Sequence, residues 1–215
     1  MTALARSLRA GAVALAAFLM LNVGASAQSQ TASALSAKDF VQKVGDEAIQ
    51  NLTDKSLSDS ARVKQMRIFL RDNFDEAAIA KFVLGVYWNR TNEAQRAEFQ
   101  KLYEVVVAHN YAGLFKKYSG ETFQVLNQRG EGDIMIVNAQ INQTNGGPPI
   151  PVELQVQKDG ATWRAVDIKV DGVSMPQTHR KEYSSVINRS RNGVDGLLEA
   201  MRNKARQLEA EAPSE

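Results

Sequence analysis

Residues 122–170 read TFQVLNQRGEGDIMIVNAQINQTNGGPPIPVELQVQKDGATWRAVDIKV, and apolar and polar side chains tend to alternate in four runs. A period of two is typical of β-strands, because successive side chains point to opposite faces of a sheet. The runs are residues 122–129, 133–141, 151–157 and 163–170, and short turns rich in Gly, Asn and Asp separate them. Connections this short join only antiparallel neighbours. The stretch therefore predicts a four-stranded antiparallel meander.

The sequence on both sides of these strands has the apolar spacing of amphipathic helices, with apolar residues three and four positions apart. Six helices are predicted, at about residues 37–53, 58–73, 75–84, 91–118, 177–188 and 193–208. Helices followed by a block of strands and then by further helices are typical of the α+β class. We expect the helices to pack on one face of the sheet.

Two of the predicted strands bear on whether the helices close this face of the sheet or leave a pocket. Residues 134–137 are apolar at every position, and alternation along the fourth strand places Val166, Ile168 and Val170 on one apolar face. Such strands belong either to a closed core or to a face that the helices cover incompletely, which leaves a cavity. Periodicity alone keeps both interpretations open.

Residues 1–27 have the pattern of a secretory signal peptide. Arg6 and Arg9 precede an apolar run of 12 residues, Ala10–Leu21, and Ala25-Ser26-Ala27 follows as a cleavage site. The run is shorter than the ~20 residues that a helix needs to cross the hydrocarbon of a bilayer. We therefore expect cleavage after Ala27 and export to the periplasm.

The rest of the chain divides into three predicted parts. Residues 28–36 are small and polar and form a flexible lead, residues 37–208 form a single α+β domain, and residues 209–215 form a frayed tail. Two of the 26 basic residues lie in the signal peptide, so 24 remain against 24 acidic residues. Without a basic surplus, the domain is not expected to bind nucleic acid.

The chain has no cysteine and two histidines, His109 and His179. This composition excludes disulfides, thiolate metal sites, cysteine nucleophiles and a multi-histidine metal cage. We expect neither a metal nor a cofactor. His179 stands beside Arg180 and Lys181 near a predicted helix start, and it is expected to face solvent.

Two further features suggest alternative functions. Asp167 is an acid within an apolar strand, so it is either a structural hydrogen-bonding group or the general base of a small isomerase or dehydratase. The second predicted helix carries a basic set that is either a solvated face or a docking surface for an acidic partner. Its members are Arg62, Lys64, Arg67 and Arg71. A protein that used only this surface would be a ligand-free envelope adaptor.

Two short motifs carry a family resemblance. Residues 84–88 read LGVYW and residues 167–174 read DIKVDGVS. Together with the order of the surrounding residues, they resemble the MlaC family, the periplasmic phospholipid-binding components also known as toluene-tolerance or auxiliary proteins. The resemblance extends over about residues 37–208. The sequence departs from the family pattern at Thr178-His179-Arg180, where Asn-Tyr-Arg is more usual, and at Tyr183, where we would expect Phe.

The resemblance implies a carrier and not an enzyme. Family members move glycerophospholipid between an outer-membrane lipoprotein complex and an inner-membrane ABC transporter with an MCE component, which maintains the lipid asymmetry of the outer membrane. The phospholipid is cargo, and we expect a monomer. The family places the acyl tails between sheet and helices, so the resemblance implies that residues 37–208 form a lipid-binding domain whose helices surround an apolar pocket. The lipid-binding residues predicted on this basis are Leu84, Tyr87, Trp88, Phe99, Val106, Tyr111, Leu114, Ile136, Val166, Ile168, Val173 and Met175.

Overall fold

The computed structural model describes residues 35–211. Its elements in chain order are α1 (Ala37–Leu52), α2 (Asp59–Asn73), α3 (Glu76–Leu84), a 3₁₀ helix (Gly85–Arg90), α4 (Glu93–Phe115), β1 (Thr122–Glu131), β2 (Ile134–Asn142), β3 (Ile150–Asp159), β4 (Thr162–Val170), β5 (Val173–Ser174), α5 (Met175–Arg189) and α6 (Val194–Glu211). The predicted α+β class is confirmed. The predicted signal peptide, most of the lead and the last four residues of the tail lie outside the described residues.

The strands form one antiparallel sheet in the order β1-β2-β3-β4-β5. The four predicted strands are present, and β5 adds a fifth strand of two residues at the edge. It follows a tight turn in which Asp171 and Gly172 have φ angles of 51° and 77°. Two successive positive φ angles favour a two-residue hairpin of this kind, and Asp-Gly is a sequence that adopts it readily.

A β-bulge in β4 changes which side chains face the helices. Leu154 pairs with Ile168 and Val156 pairs with Ala165, so Val166 is an extra residue between the two pairs. Paired residues share a face, and Leu154 and Val156 both lie on the buried face. Ala165 and Ile168 therefore face the helices. The prediction that Val166 shares a face with Ile168 by simple alternation is wrong, because the bulge shifts the alternation by one residue.

The helices pack on one face of the sheet, and α1 to α5 begin at side-chain caps. Ser36, Ser58 and Ser174 each accept a hydrogen bond from the backbone of the first turn of α1, α2 and α5, and Asn92 forms a reciprocal capping box with Gln95 at the start of α4. α4 is the longest helix, and it packs against both α2 and α6, while α1 lies on β1. Within residues 35–211, no helix has the length and apolarity needed to cross a membrane.

Candidate functional site: an apolar cavity between sheet and helices

A cavity of about 1160 Å³ lies between the buried face of the sheet and the helices. The sheet contributes apolar side chains from all four long strands, namely Phe123, Ile141, Ile150, Val152, Leu154, Ile168 and Val170. The helices contribute Val44, Ala48, Ile49, Met66, Phe69, Leu70, Ile79, Val107, Leu114 and Phe115, and Phe74 follows α2. The volume exceeds the ~300–1,000 Å³ of ordinary small-molecule pockets. The helices therefore do not close the core, which decides between the two interpretations that strand periodicity left open.

The longest helix supplies one wall of the cavity. Tyr103, Val107, Tyr111 and Leu114 are spaced by four, four and three residues along α4, and all four line the cavity. This spacing places side chains on one face of a helix. On the sheet, Val152 and Leu154 are two residues apart and lie on the same face, opposite Val170 and Ile168. The cavity is thus built from the helical and strand periods that the sequence carries.

Charged residues of the lining fall into two groups along the cavity. Lys117 and Glu121 lie between the end of α4 and the start of β1. The other group comes from α2, the start of α3, α4 and the β3–β4 hairpin, and it contains Arg71, Asp75, Glu76, Lys101, Glu104, Asp159 and Arg164. In this second group, burial and the neighbouring Glu104 raise the pKa of Glu76. Along α4, Lys101 and Glu104 precede the apolar lining residues Val107 and Leu114, and Lys117 follows them.

A cluster of hydrogen-bonded aromatic side chains forms part of the wall. The Tyr103 hydroxyl lies 2.8 Å from His179 Nδ1, and the Tyr111 hydroxyl lies 3.1 Å from His179 Nε2. The Tyr111 hydroxyl also donates to Met175 Sδ at 3.1 Å. Tyr183 stacks on the imidazole with ring centroids 6.1 Å apart. Of these residues, all but Tyr183 line the cavity.

His179 is buried, with only 9% of its surface exposed, and the prediction that it faces solvent is wrong. α5 turns this residue towards α4, while Lys181 remains exposed. Burial lowers the pKa of His179 and raises the pKa of Tyr103 and of Tyr183. All three shifts favour the neutral form, because a charged group loses its hydration in the protein interior.

Comparison with known proteins identifies the family. The family model described as MlaC protein matches residues 42–203. The chain belongs to the MlaC family. Among curated proteins, the intermembrane phospholipid transport system binding protein MlaC of Haemophilus influenzae is 27% identical over 175 residues, which is 74% of this chain and 81% of that protein.

The fold is also found among solved structures. A phospholipid-binding protein from Ralstonia solanacearum, solved in complex with a phospholipid, has a TM-score of 0.73 and 19% identity to this chain. The match covers 81% of this chain and 99% of that chain. At this identity the likeness is one of fold. The MlaC-like fold therefore extends over nearly all of the solved protein.

The twelve residues that the MlaC resemblance predicts for lipid binding do not all lie together. Those that line the cavity are Tyr111, Leu114, Ile168 and Met175. Leu84, Phe99 and Val106 are buried in the core away from the lining, and Phe99 stacks on Tyr103. Helical spacing identifies the apolar side of a helix but does not separate core positions from cavity positions. Lipid binding by these residues stays a prediction.

The remaining five of the twelve residues lie outside the cavity lining. On the 3₁₀ helix, the Tyr87 hydroxyl donates to Asn188 Oδ1 at 2.6 Å, and Trp88 lies under the Arg96 guanidinium at 5.0 Å. Ile136 pairs with Gln155 on the polar outer face of the sheet. Val166 is the bulge residue, and Val173 is 53% exposed on β5.

Several cavity residues were not singled out in the sequence. Tyr103 and Val107 share the helical stripe of Tyr111 and Leu114, but the stripe places them only on the apolar side of α4 and not in the cavity. Phe123 lies on the inner face of β1, and its alternation with Val125 was the available signal. Phe74 follows α2 and forms an isolated bridge with Ala165. No local pattern predicts that bridge, because it joins residues far apart in the chain.

The four basic residues of α2 do not form one surface. Arg62 is 2% exposed, and its guanidinium donates to the carbonyl oxygens of Leu52, Asp54 and Leu57. The side chain holds the loop between α1 and α2 together, so Arg62 does not lie on the docking surface predicted for it. Arg67 lies 3.7 Å from Glu104 across the α2–α4 contact.

Two of these basic residues, Lys64 and Arg71, are exposed to solvent. Lys64 is exposed, and Arg71 is exposed beside Asp72, with Arg71 Nε 3.0 Å from Asp72 Oδ1. Arg71 also lines one polar region of the cavity. Docking through Lys64, Arg67 and Arg71 stays a prediction.

Asp167 has a structural partner. Its carboxylate accepts a hydrogen bond of 2.8 Å from the Ser174 hydroxyl, and Ser174 also caps α5. Asp167 pairs with Gln155 on the outer face of the sheet and is not among the residues that line the cavity. This arrangement connects β4 to the start of α5. Across residues 35–211, no group of three acidic or histidine side chains is placed to hold a metal ion.

Proposed function

We propose that this protein carries a phospholipid whose acyl chains occupy the cavity between sheet and helices. The observation that carries the proposal is the volume of about 1160 Å³ with a largely apolar lining. The name of the Haemophilus influenzae relative and the phospholipid in the Ralstonia solanacearum structure support it. Transport proteins as relatives also support a role in binding and not in catalysis.

The physical need for such a carrier follows from the insolubility of acyl chains. Two chains contain roughly 30 methylene groups, and burial of each is worth about 0.8 kcal/mol, so exposure to water would cost on the order of 20 kcal/mol. Spontaneous release into water would be correspondingly rare. Lipid should therefore leave the cavity only while the protein contacts a partner that offers another apolar path.

The finer parts of the proposal concern place and partners. After removal of residues 1–27, the protein works in the periplasm as a monomer. It exchanges phospholipid with an outer-membrane lipoprotein complex and with an inner-membrane ABC transporter that contains an MCE component. This exchange maintains the lipid asymmetry of the outer membrane.

The two alternative functions have less support. An isomerase or dehydratase would need Asp167 at the substrate, but its carboxylate accepts from Ser174 outside the cavity lining. A ligand-free adaptor would need a closed core and a continuous basic surface on α2. The cavity and the burial of Arg62 disfavour it.

The test is native mass spectrometry of the protein purified from cells, with lipid extraction of the same sample. We expect bound phospholipid in the unsubstituted protein. Ile168→Asp places a charge in the cavity and should remove the lipid, because an unpaired buried charge is costly. Val166→Asp, two residues away at the bulge, is the matched control and should retain it.

A second variant avoids a buried charge. Val107→Trp fills part of the cavity with an apolar ring and should also lower the amount of bound lipid. Circular dichroism shows whether each variant is folded. A folded, unsubstituted protein that carries no lipid and takes up none from vesicles would contradict the proposal.

A further inference from the structure

The hydrogen bonds around His179 have a single consistent direction. The thioether sulfur of Met175 can only accept, so the Tyr111 hydroxyl uses its one hydrogen for that contact. The Tyr111 oxygen must then accept from His179 Nε2, which carries the imidazole hydrogen. In a neutral imidazole the other nitrogen is an acceptor, so Nδ1 accepts from the Tyr103 hydroxyl. The chain of donors runs from Tyr103 through His179 to Tyr111.

This series of hydrogen bonds fixes the direction in which the Tyr111 hydroxyl donates. Because His179 Nε2–H occupies the Tyr111 oxygen, the Tyr111 hydrogen must point away from the imidazole. Its present acceptor, the Met175 sulfur, is a weak one on a flexible side chain. A carbonyl oxygen in the cavity would be a stronger acceptor for the same hydrogen. Tyr111 is therefore a preset donor whose present partner is easily replaced.

The position of Tyr111 in the cavity indicates which carbonyl would reach it. Tyr111 lies one helical turn before Phe115, close to the end of α4. There the apolar lining gives way to Lys117 and Glu121. In a phospholipid the ester carbonyls lie between the apolar chains and the charged headgroup. A donor at this boundary matches that position.

We propose that the Tyr111 hydroxyl is a binding site for an ester carbonyl oxygen of the bound lipid, and that His179 and Tyr103 are positioning residues for it. The inference rests on the proposed function, since it names the chemical group of the cargo that this cavity recognises. A lipid with ester-linked chains should bind better than one with ether-linked chains, which has no carbonyl.

The neutral state of the cluster is consistent with this role. A protonated His179 would donate from both nitrogens, so the Tyr103 hydroxyl could no longer donate to Nδ1. Burial lowers the pKa of His179, although the nearby Glu182 carboxylate acts in the opposite direction. Burial therefore favours the neutral imidazole, which the hydrogen bond from Tyr103 requires.

The test is a competition for uptake from vesicles. The protein is incubated with vesicles of equimolar dioleoyl phosphatidylcholine and its dialkyl ether analogue, which has the same chains and headgroup. Native mass spectrometry then gives the ratio of ester lipid to ether lipid on the protein. We expect a ratio of about fivefold, the factor that one net hydrogen bond is worth. In Tyr111→Phe the ratio should fall to about one.

Further variants separate recognition from general damage to the fold. Tyr103→Phe and His179→Phe should lower the ratio without abolishing uptake of the ether lipid, a change that loss of folding would not produce. Met175→Leu removes the competing acceptor and should raise the ratio. Tyr87→Phe is the matched control, because it removes a hydroxyl that donates to Asn188 away from the cavity lining, and it should leave the ratio unchanged.

The outcomes distinguish this inference from the proposed function. Equal uptake of both lipids by the unsubstituted protein would overturn the carbonyl site and leave the carrier function intact. A preference for the ester lipid that persists in Tyr111→Phe would also overturn the carbonyl site and leave the carrier function intact. Uptake of neither lipid would contradict the carrier function itself, and the carbonyl site with it.

Discussion

Phe123 on β1 packs so closely against the backbone of Gly45 in α1 that a Cβ atom at position 45 would overlap the phenyl ring. Both residues also line the cavity. α1 can therefore lie directly on the sheet at this point because position 45 has no side chain. The contact sets the spacing between helix and sheet next to the cavity.

Gly45→Ala should destabilise the protein by about 1–3 kcal/mol, the usual cost of forcing extra atoms into a packed core. Alanine favours helix over glycine by up to about 1 kcal/mol, which offsets only part of this cost. Urea unfolding measures the change. Gly113→Ala is the matched control, because Gly113 is an exposed residue of α4 with open space around it. It should stabilise by up to about 1 kcal/mol, and a stabilising Gly45→Ala would refute the close contact.

Arg62→Met should lower the free energy of unfolding by about 2–4 kcal/mol, because three backbone carbonyls at the end of α1 and in the following loop lose a charged donor. Lys64→Met, two residues along the same helix, replaces an exposed side chain and should change the free energy of unfolding by less than about 0.5 kcal/mol. Chemical denaturation compares the two variants. Equal effects would show that Arg62 is no more structural than its exposed neighbour.

The stability of the protein should fall in mild acid because of His179. Its pKa in the folded protein is below the ordinary value of 6.5, so the unfolded chain takes up a proton first as the pH drops. The contribution of the neutral imidazole is fully present above pH 6.5 and decreases below it, down to the folded-state pKa.

The measurement is urea unfolding between pH 8 and pH 5 for the unsubstituted protein, His179→Gln and His109→Gln. His179→Gln should reduce the slope of stability against pH in this range, whereas His109→Gln should retain it. His179→Gln with an unchanged slope would show that another group is responsible.

Glu153 on the outer face of the sheet joins two cations. Its carboxylate lies 2.6 Å from Arg129 Nη2 and 2.6 Å from Lys169 Nζ, and these hydrogen bonds lower the pKa of Glu153 below the ordinary 4.5. Glu153→Gln should cost roughly 0.5–1 kcal/mol at pH 7 and low salt. Glu131→Gln, at the exposed end of β1, is the control and should have little effect.

The loss from Glu153→Gln should depend on conditions in two ways. It should shrink in about 1 M salt, where screening acts over ~3 Å. It should also disappear in acid, since a lowered carboxyl pKa stabilises the fold above about pH 4.5 and the effect is lost as the pH falls through the folded-state pKa. Thermal unfolding at the two salt concentrations provides the check, and a loss that does not depend on salt would mean that packing, and not charge, is responsible.

Much of the fold could be predicted because its signals are local. The alternation in residues 122–170 predicted four strands, and the observed β1 and β4 begin within one residue of the predicted starts. Within the cavity, Tyr111 and Leu114, which share one helical stripe of α4, were predicted from the family resemblance. Tyr103 and Val107 lie on the same stripe and were missed, because a stripe does not show where two packed elements separate.

Other features could not be predicted because they depend on distant partners. Val166 looks like an inward strand residue until the register with β3 shows a bulge. Arg62 looks like one member of a basic surface, but three carbonyls at the end of α1 and in the following loop make its burial favourable. Each is a long-range or loop contact that no periodicity encodes.

The amino-acid sequence by itself determined the kinds of elements, their order, the antiparallel meander and the family, because each follows from local periodicity, short turns or motifs. Only the tertiary structure decided that the core is open, that His179 is buried, and that it connects Tyr103 and Tyr111 from positions 76 and 68 residues away. A cavity is a space between elements that fail to meet. Its shape and chemistry therefore arise from how the elements pack and not from any one of them.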